Sequence, residues 1–259
     1  MKLLENKTAM IFGVANQRSI AWGITQKFHE HGARIALSYA GPALERRVRP
    51  LAEQIGAAFV HPCDVTQDDQ ITAIVEKAEA ELGKIDILVH AIAFADREDL
   101  MRPFVETSRA GFKLAMDISV YSFVTLTNHF RKLMNPGGSF LTLTYYGSVK
   151  VAPGYNVMGV AKAALEAATR YMAYDLGPEG LRVNAISAGP IRTLAAAGVP
   201  GFRRMYKNFV EMAPLQQNIT IEDVGNAALF LCSDMAAKVT GEILYVDSGY
   251  NVMGTPKPE

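Results

Sequence analysis

The chain has 259 residues, 49% of them apolar and 20% charged, and its 26 basic side chains balance 26 acidic ones, so it can bury one large core at no net charge. That composition excludes a disordered or collagen-like chain, and the charge balance argues against a nucleic-acid partner, whose phosphates require a broad basic surface. No run reaches the roughly 18 apolar residues that cross a bilayer, the two cysteines lie in no chelating spacing and the five histidines form no ligand cluster, so neither a membrane nor a metal is expected.

Along the chain, short β-rich runs alternate with longer helical patterns. Residues 1–7 contain Glu5 and lead into an apolar run broken by Gly13, which fits a first strand better than a signal peptide. With Cys63 and Cys232 read as buried thiols, the expected location is the cytoplasm. Strands are predicted over 8–12, 34–39, 58–60, 85–89, 139–144, 182–187 and 243–246. Most are apolar throughout, the pattern of strands covered on both faces. The expected fold class is therefore α/β: a Rossmann-like, doubly wound, seven-stranded parallel sheet with helices on both faces. Ile20, Ile24 and Phe28 mark the apolar face of one intervening helix; Ile71, Ile74, Val75 and Ala78 mark another. No linker or repeat interrupts the alternation, so residues 1–259 are read as a single dinucleotide-binding catalytic domain. Ligands of such sheets bind beyond the carboxyl ends of the strands, which directs attention to the residues that follow each one.

The loop after the first strand runs from Gly13 to Gly23 without spelling GxGxxG. Ser19 substitutes there: its hydroxyl and the N–H groups of Ser19 and Ile20 are predicted to face a phosphate, with simple helix capping by Ser19 as the alternative. After the third strand, Asp64 and the Val65 N–H offer the acceptor and donor that an adenine needs, unless Asp64 only opens the next helix. After the fourth come His90, Ala91, Ile92 and Ala93, where the small Ala91 and Ala93 let the chain pass close to a ribose and Ile92 joins the cofactor set. The second strand ends in Tyr39, Ala40 and Gly41, with no acid for an adenosine ribose. NADH is favoured because no basic side chain lies at that strand end, and NADPH stays open because Arg46, Arg47 and Arg49 follow.

Tyr155 and Lys162 stand seven apart on a helical pattern. Seven steps of about 100° return the lysine to within roughly 20° of the tyrosine, about 10 Å along the axis. An ammonium there would favour the phenolate and would also bond a nicotinamide ribose, aiming the hydride at a substrate held by Tyr155. Tyr145 is expected to line the same pocket. Tyr146 and Lys150 have a competing four-residue offset, but Gly147 and Pro153-Gly154 break any continuous helix through them.

On Gly13 through Ile20, Cys63-Asp64-Val65, Tyr145, Tyr155-Asn156-Val157-Met158 with Lys162, and the run from Arg182 through Asn184, Gly189 and Pro190 to Thr193, the sequence resembles the bacterial enoyl-[acyl-carrier-protein] reductases. These are a divergent branch of the short-chain dehydrogenase superfamily, and the resemblance spans essentially the whole chain. It implies a homotetramer that reduces trans-2-enoyl thioesters on acyl carrier protein in fatty-acid elongation. It also implies nicotinamide contacts from Ile191, Arg192, Thr193, Leu194 and Ala195, and a substrate contact at Ala95. Ala40 departs from the family, whose members commonly carry glutamine there, and this leaves the choice between NADH and NADPH open.

The segment 192–214 mixes small residues with large apolar ones, as a hinged substrate lid would, and Met158, Phe202 and Met205 are expected to supply an apolar wall for the acyl chain. Arg203, Arg204 and Lys207 on it are a candidate patch for an acidic carrier protein. The alternative enzyme is a β-ketoacyl or other carbonyl reductase. It is disfavoured because Gly159 stands four residues beyond Tyr155, where such enzymes place lysine, and Thr142 stands where they place serine. A non-catalytic dinucleotide sensor is a third, weaker reading.

Overall fold

Residues 9–12, 35–39, 87–90 and 182–188 are all buried, so these strands can be satisfied only between two layers of helices. A computed structural model describes residues 2–255. In it β1 (Thr8–Phe12), β2 (Arg34–Tyr39), β3 (Val60–Pro62), β4 (Ile85–His90), β5 (Met134–Thr144), β6 (Arg182–Ala188) and β7 (Ile243–Val246) form one parallel sheet in the order β3-β2-β1-β4-β5-β6-β7. Between them run α1 (Ile20–Glu30), α2 (Pro42–Gln54), α3 (Asp68–Leu82), α4 (Arg97–Met101), α5 (Arg109–Met116), α6 (Ser122–Phe130), α7 (Asn156–Leu176), α8 (Phe202–Met212) and α9 (Ile221–Cys232).

Strand order reverses between β1 and β4, which makes their carboxyl ends the switch point where such sheets bind ligands. β4 and β6 each run one residue past expectation, to His90 and Ala188, and two strands differ by more. β3 lies two residues later than predicted, because His61 and Pro62 continue the ladder with β2; β3 is an edge strand, where the missing N–H of proline costs no bond. β5 starts early: Met134 pairs with Ile85 before the Pro136-Gly137-Gly138 turn shifts the register, and regular pairing resumes at Ser139.

Two cores flank the sheet. One packs Ile71, Ile74, Phe123, Phe130, Val157 and Leu165 of α3, α6 and α7; the other packs Trp22, Ile24, Phe28, Leu51, Val224 and Leu229 of α1, α2 and α9. Full burial of each large side chain contributes about 1.5–3 kcal/mol. In the second layer α1 lies directly on α9: a Cβ at Gly23 would strike the Ile221 carbonyl, and one at Gly225 would lie 2.7 Å from the Gly23 carbonyl oxygen. Between α5 and α6, Asp117–Tyr121 winds as a π-turn, a local unwinding that often marks a functional site.

Candidate active site

Gly13 closes β1 at φ +100°, and a Cβ there would strike the Ala91 carbonyl beyond β4. Only glycine lets the two strand ends meet at the switch point. Ser19 is the N-cap of α1 but makes no capping bond; its hydroxyl donates to the Asn16 carbonyl at 2.6 Å, and its own N–H is also given to Asn16, at 3.1 Å. Neither the capping alternative nor a free Ser19 N–H is therefore what the structure shows. The helix keeps an uncapped N-terminus beginning at Ile20, with no acid in its first turn, which suits a diphosphate.

Asp64 serves its own turn, since Oδ1 accepts from Thr66 N at 3.0 Å and from Thr66 Oγ1 at 2.8 Å, while its N–H donates to Gln70. The side chain of Val65 is buried in the first core. Ala40 is exposed at the end of β2. Of the arginines that follow, Arg49 is paired with Glu45, whereas Arg47 joins Asn16, Gln17 and Arg18 of the glycine loop in lining a cavity of about 380 Å³. None of the residues expected to hold the cofactor lines that cavity.

The arrangement around Tyr155 brings several predicted residues together. Met158 is buried in the first core, and Tyr155, Ile92 and Ala95 pack against the same cluster. The Tyr155 ring meets Tyr145 edge-on, with centroids 4.9 Å apart, and the Tyr145 hydroxyl donates to Met205 Sδ of α8 at 3.2 Å. Phe202, also on α8, packs on Tyr206 with ring centroids 5.8 Å apart, and Arg192 lies over Tyr206 at 4.4 Å. Phe209 anchors α8 by stacking on Tyr250 and pressing on Gly189. Ile191 packs on the second core, Thr193 accepts from Ala196 N, and Leu194 and Ala195 are exposed along the open side.

Lys162 lies two turns into α7 and is buried, with Nζ donating to the Leu143 carbonyl at 2.7 Å. Contrary to the expectation from spacing, Tyr155 is not made more acidic. Burial is the largest influence on Tyr155 and Tyr145 adds to it, so the phenol is pushed well above its ordinary value. Burial likewise pushes Tyr145 up to about 12 and Lys162 down to about 8. Tyr155 is thus a protonated hydrogen-bond donor and not a phenolate.

Three further groups carried little signal in one dimension. His90 is buried, its Nδ1 2.9 Å from Thr142 Oγ1 and its Nε2 2.8 Å from Ser122 Oγ beside the π-turn; burial and then the Lys162 charge push it down to about 3. Asn156, at φ +38°, donates to the Leu100 and Arg102 carbonyls and ties the start of α7 to α4. Glu166 is buried one turn beyond Lys162, a four-residue spacing visible in the sequence whose significance depends on burial.

The turn at Gly147 explains the spacing of tyrosine and lysine. A Cβ at Gly147 would lie 2.6 Å from Tyr155 Cδ1, and one at Gly159 would lie 2.8 Å from the Gly147 carbonyl oxygen. A lysine at 159 has no room, and Thr142 is occupied with His90 instead of facing a substrate.

A family model described as Enoyl-(Acyl carrier protein) reductase matches residues 13–251. Enoyl-[acyl-carrier-protein] reductase [NADH] 1 of Rhizobium meliloti is 54% identical over 252 residues, 97% of this chain and 93% of the relative. The crystal structure of the NADH enoyl-[acyl-carrier-protein] reductase of Aquifex aeolicus superposes with a TM-score of 0.96 at 51% identity, covering 98% of this chain and 99% of that one. The Bacillus cereus enoyl-acyl carrier protein reductase, crystallised with NADP+ and indole naphthyridinone, gives 0.96 at 52% identity, covering 98% and 100%.

Proposed function

Because the chain belongs to the enoyl-[acyl-carrier-protein] reductase family, NADH-dependent oxidoreductases of fatty-acid synthesis, we propose that Tyr145, Tyr155 and Lys162 form its catalytic centre under a lid at 192–214. It reduces enoyl thioesters carried on acyl carrier protein. The observation that carries the assignment is the meeting of Tyr155 with Tyr145, ring centroids 4.9 Å apart, with the Tyr145 hydroxyl already bonded to Met205 and burial keeping Tyr155 a protonated donor.

When bound, NADH would supply a hydride to Cβ of the enoyl thioester and leave as NAD+, and a proton taken up at Cα would complete the saturated thioester. Before that proton arrives, negative charge grows on the thioester oxygen, and the Tyr155 O–H donates to that oxygen. Such a donor lowers the barrier by about 3–4 kcal/mol. Lys162 spends one N–H on Leu143, and an ammonium has three, which leaves two that would hold the nicotinamide ribose. Gly13, Ser19 and Ile20 would bring the backbone up to the diphosphate. Ala40, Asp64, Val65 and Ile92 would border the adenosine, and residues 191–195 would border the nicotinamide. Ala95, Met158, Phe202 and Met205 enclose the acyl chain, so that closing α8 over it excludes water.

Arg203, Arg204 and Lys207 are exposed on α8, where they would steer an acidic carrier to the site. Phe112, Tyr121, Tyr171 and Tyr174 stand exposed on α5, the π-turn and α7, aromatic surface that packing against other copies in a homotetramer would bury. No helix among the described residues is long and apolar enough to cross a membrane, and two buried free cysteines suit the cytoplasm.

Crotonyl and acetoacetyl thioesters, offered with NADH or NADPH while nicotinamide absorbance is followed, test the assignment. Oxidation of NADH by crotonyl thioester alone is expected, and turnover only with acetoacetyl thioester would overturn it. The NADPH arm measures whether Arg18 and Arg47 admit a 2′-phosphate.

A further inference from the structure

Two consecutive residues at the end of β5 hold a pair of buried charges. The Leu143 carbonyl accepts from Lys162 Nζ at 2.7 Å, and the Thr144 hydroxyl donates to Glu166 Oε1 at 2.6 Å. Both side chains rise from the same face of α7, one turn apart, and each is only 5% exposed. A buried carboxylate or ammonium is rare without a compensating charge. We propose that Glu166 is a positioning residue for the reductase reaction, holding Lys162 in its ammonium form where it grips the nicotinamide ribose.

The groups around the pair leave Glu166 this task. On Lys162, burial favours the neutral amine, and Glu166 is the charge that opposes it. From β4, His90 faces Lys162 but is kept neutral by its own burial and by that ammonium, so it adds no competing charge. From β5 come only a carbonyl and a hydroxyl. From β7, Tyr245 faces Glu166 and is itself pushed up, largely by burial and then by that carboxylate, so it stays a neutral phenol. Thr144 fixes the carboxylate so that it acts through space on Lys162 without folding onto it and consuming the N–H groups that the ribose needs. Neutral amines are poorer donors than ammonium groups, so losing the carboxylate weakens cofactor binding only where Lys162 has lost its proton.

This inference rests on the assignment of Lys162 to the nicotinamide ribose, and its test is the pH dependence of NADH binding and of kcat/KM. In Glu166→Gln, which keeps the Thr144 bond and the shape, the alkaline limb should move down by on the order of one pH unit. The NADH Kd would then match the parent at pH 6.5 and be several-fold weaker near pH 8. Glu166→Asp, which keeps the charge one methylene farther away, should lie between Glu166→Gln and the parent. Superimposable profiles for the parent and Glu166→Gln would overturn the inference, because a merely structural Glu166 is replaced by an isosteric amide without any change in titration. Should Glu166→Gln fail to fold, Glu166→Asp takes its place, and an alkaline limb unmoved from the parent overturns the inference there too. A parent enzyme that binds NADH but does not oxidise it with crotonyl thioester would defeat the functional assignment instead, leaving the binding titration to judge Glu166 alone.

Discussion

Replacing Tyr155 with phenylalanine separates chemistry from folding cleanly. The ring edge on Tyr145 at 4.9 Å and the close contact with Gly147 survive the change, because both involve ring carbons. No internal hydrogen bond contributes to the state of the hydroxyl, so stability should change by less than about 0.5 kcal/mol. In a protein of this size that is a melting shift of under about 2 °C. Turnover should fall far more. A donor aimed at the developing enolate oxygen is worth roughly 10²- to 10³-fold in kcat, or about 3–4 kcal/mol. Since burial holds Tyr155 protonated well above neutrality, the ratio of parent to variant kcat should also stay flat across the neutral range. The assay is steady-state NADH oxidation with crotonyl thioester at saturating cofactor, alongside a fluorescence titration of NADH, whose Kd should not change. A kcat within threefold of the parent would refute the role assigned to the phenol, and a collapse in melting temperature would refute the packing argument.

Other perturbations test the frame around the site. Gly13→Ala forces β1 and β4 apart at the Ala91 carbonyl; it should cost more than about 2 kcal/mol in chemical denaturation and weaken NADH at least roughly tenfold. Gly23→Ala drives a methyl group into Ile221 between α1 and α9, for an expected loss of about 1–3 kcal/mol with kcat unchanged in the molecules that remain folded. His90 is held down at about 3 against an ordinary 6.5, so the unfolded chain binds the proton more readily; the stability this neutral imidazole contributes is complete above about pH 6.5 and is lost as pH falls toward 3. That loss approaches about 5 kcal/mol. Melting temperature against pH should accordingly be flatter between 6.5 and 4 for His90→Gln than for the parent.

Much of the architecture is written in local pattern. Continuous apolar strands with amphipathic helices between them imply a parallel sheet, because right-handed crossovers lay the helices over both faces of such strands. The glycine after β1 and the seven-residue step from Tyr155 to Lys162 also mark their places in one dimension, as do the motifs on which the family resemblance rests. Strand limits were less legible, since the edge position that tolerates Pro62 and the turn that splits the start of β5 depend on neighbours distant in sequence.

Electrostatics belonged to the tertiary structure alone. Spacing puts an ammonium near a phenol and suggests a depressed tyrosine, but spacing carries no dielectric: burial pushes Tyr155 up, and the Leu143 carbonyl takes the ammonium. The same holds for Ser19, whose hydroxyl turns back to Asn16, and for Glu166, ordinary on a helix until β5 and β7 enclose it. Periodicity reports which face of an element is apolar, whereas the protonation of a side chain depends on how much water the rest of the chain has removed from around it.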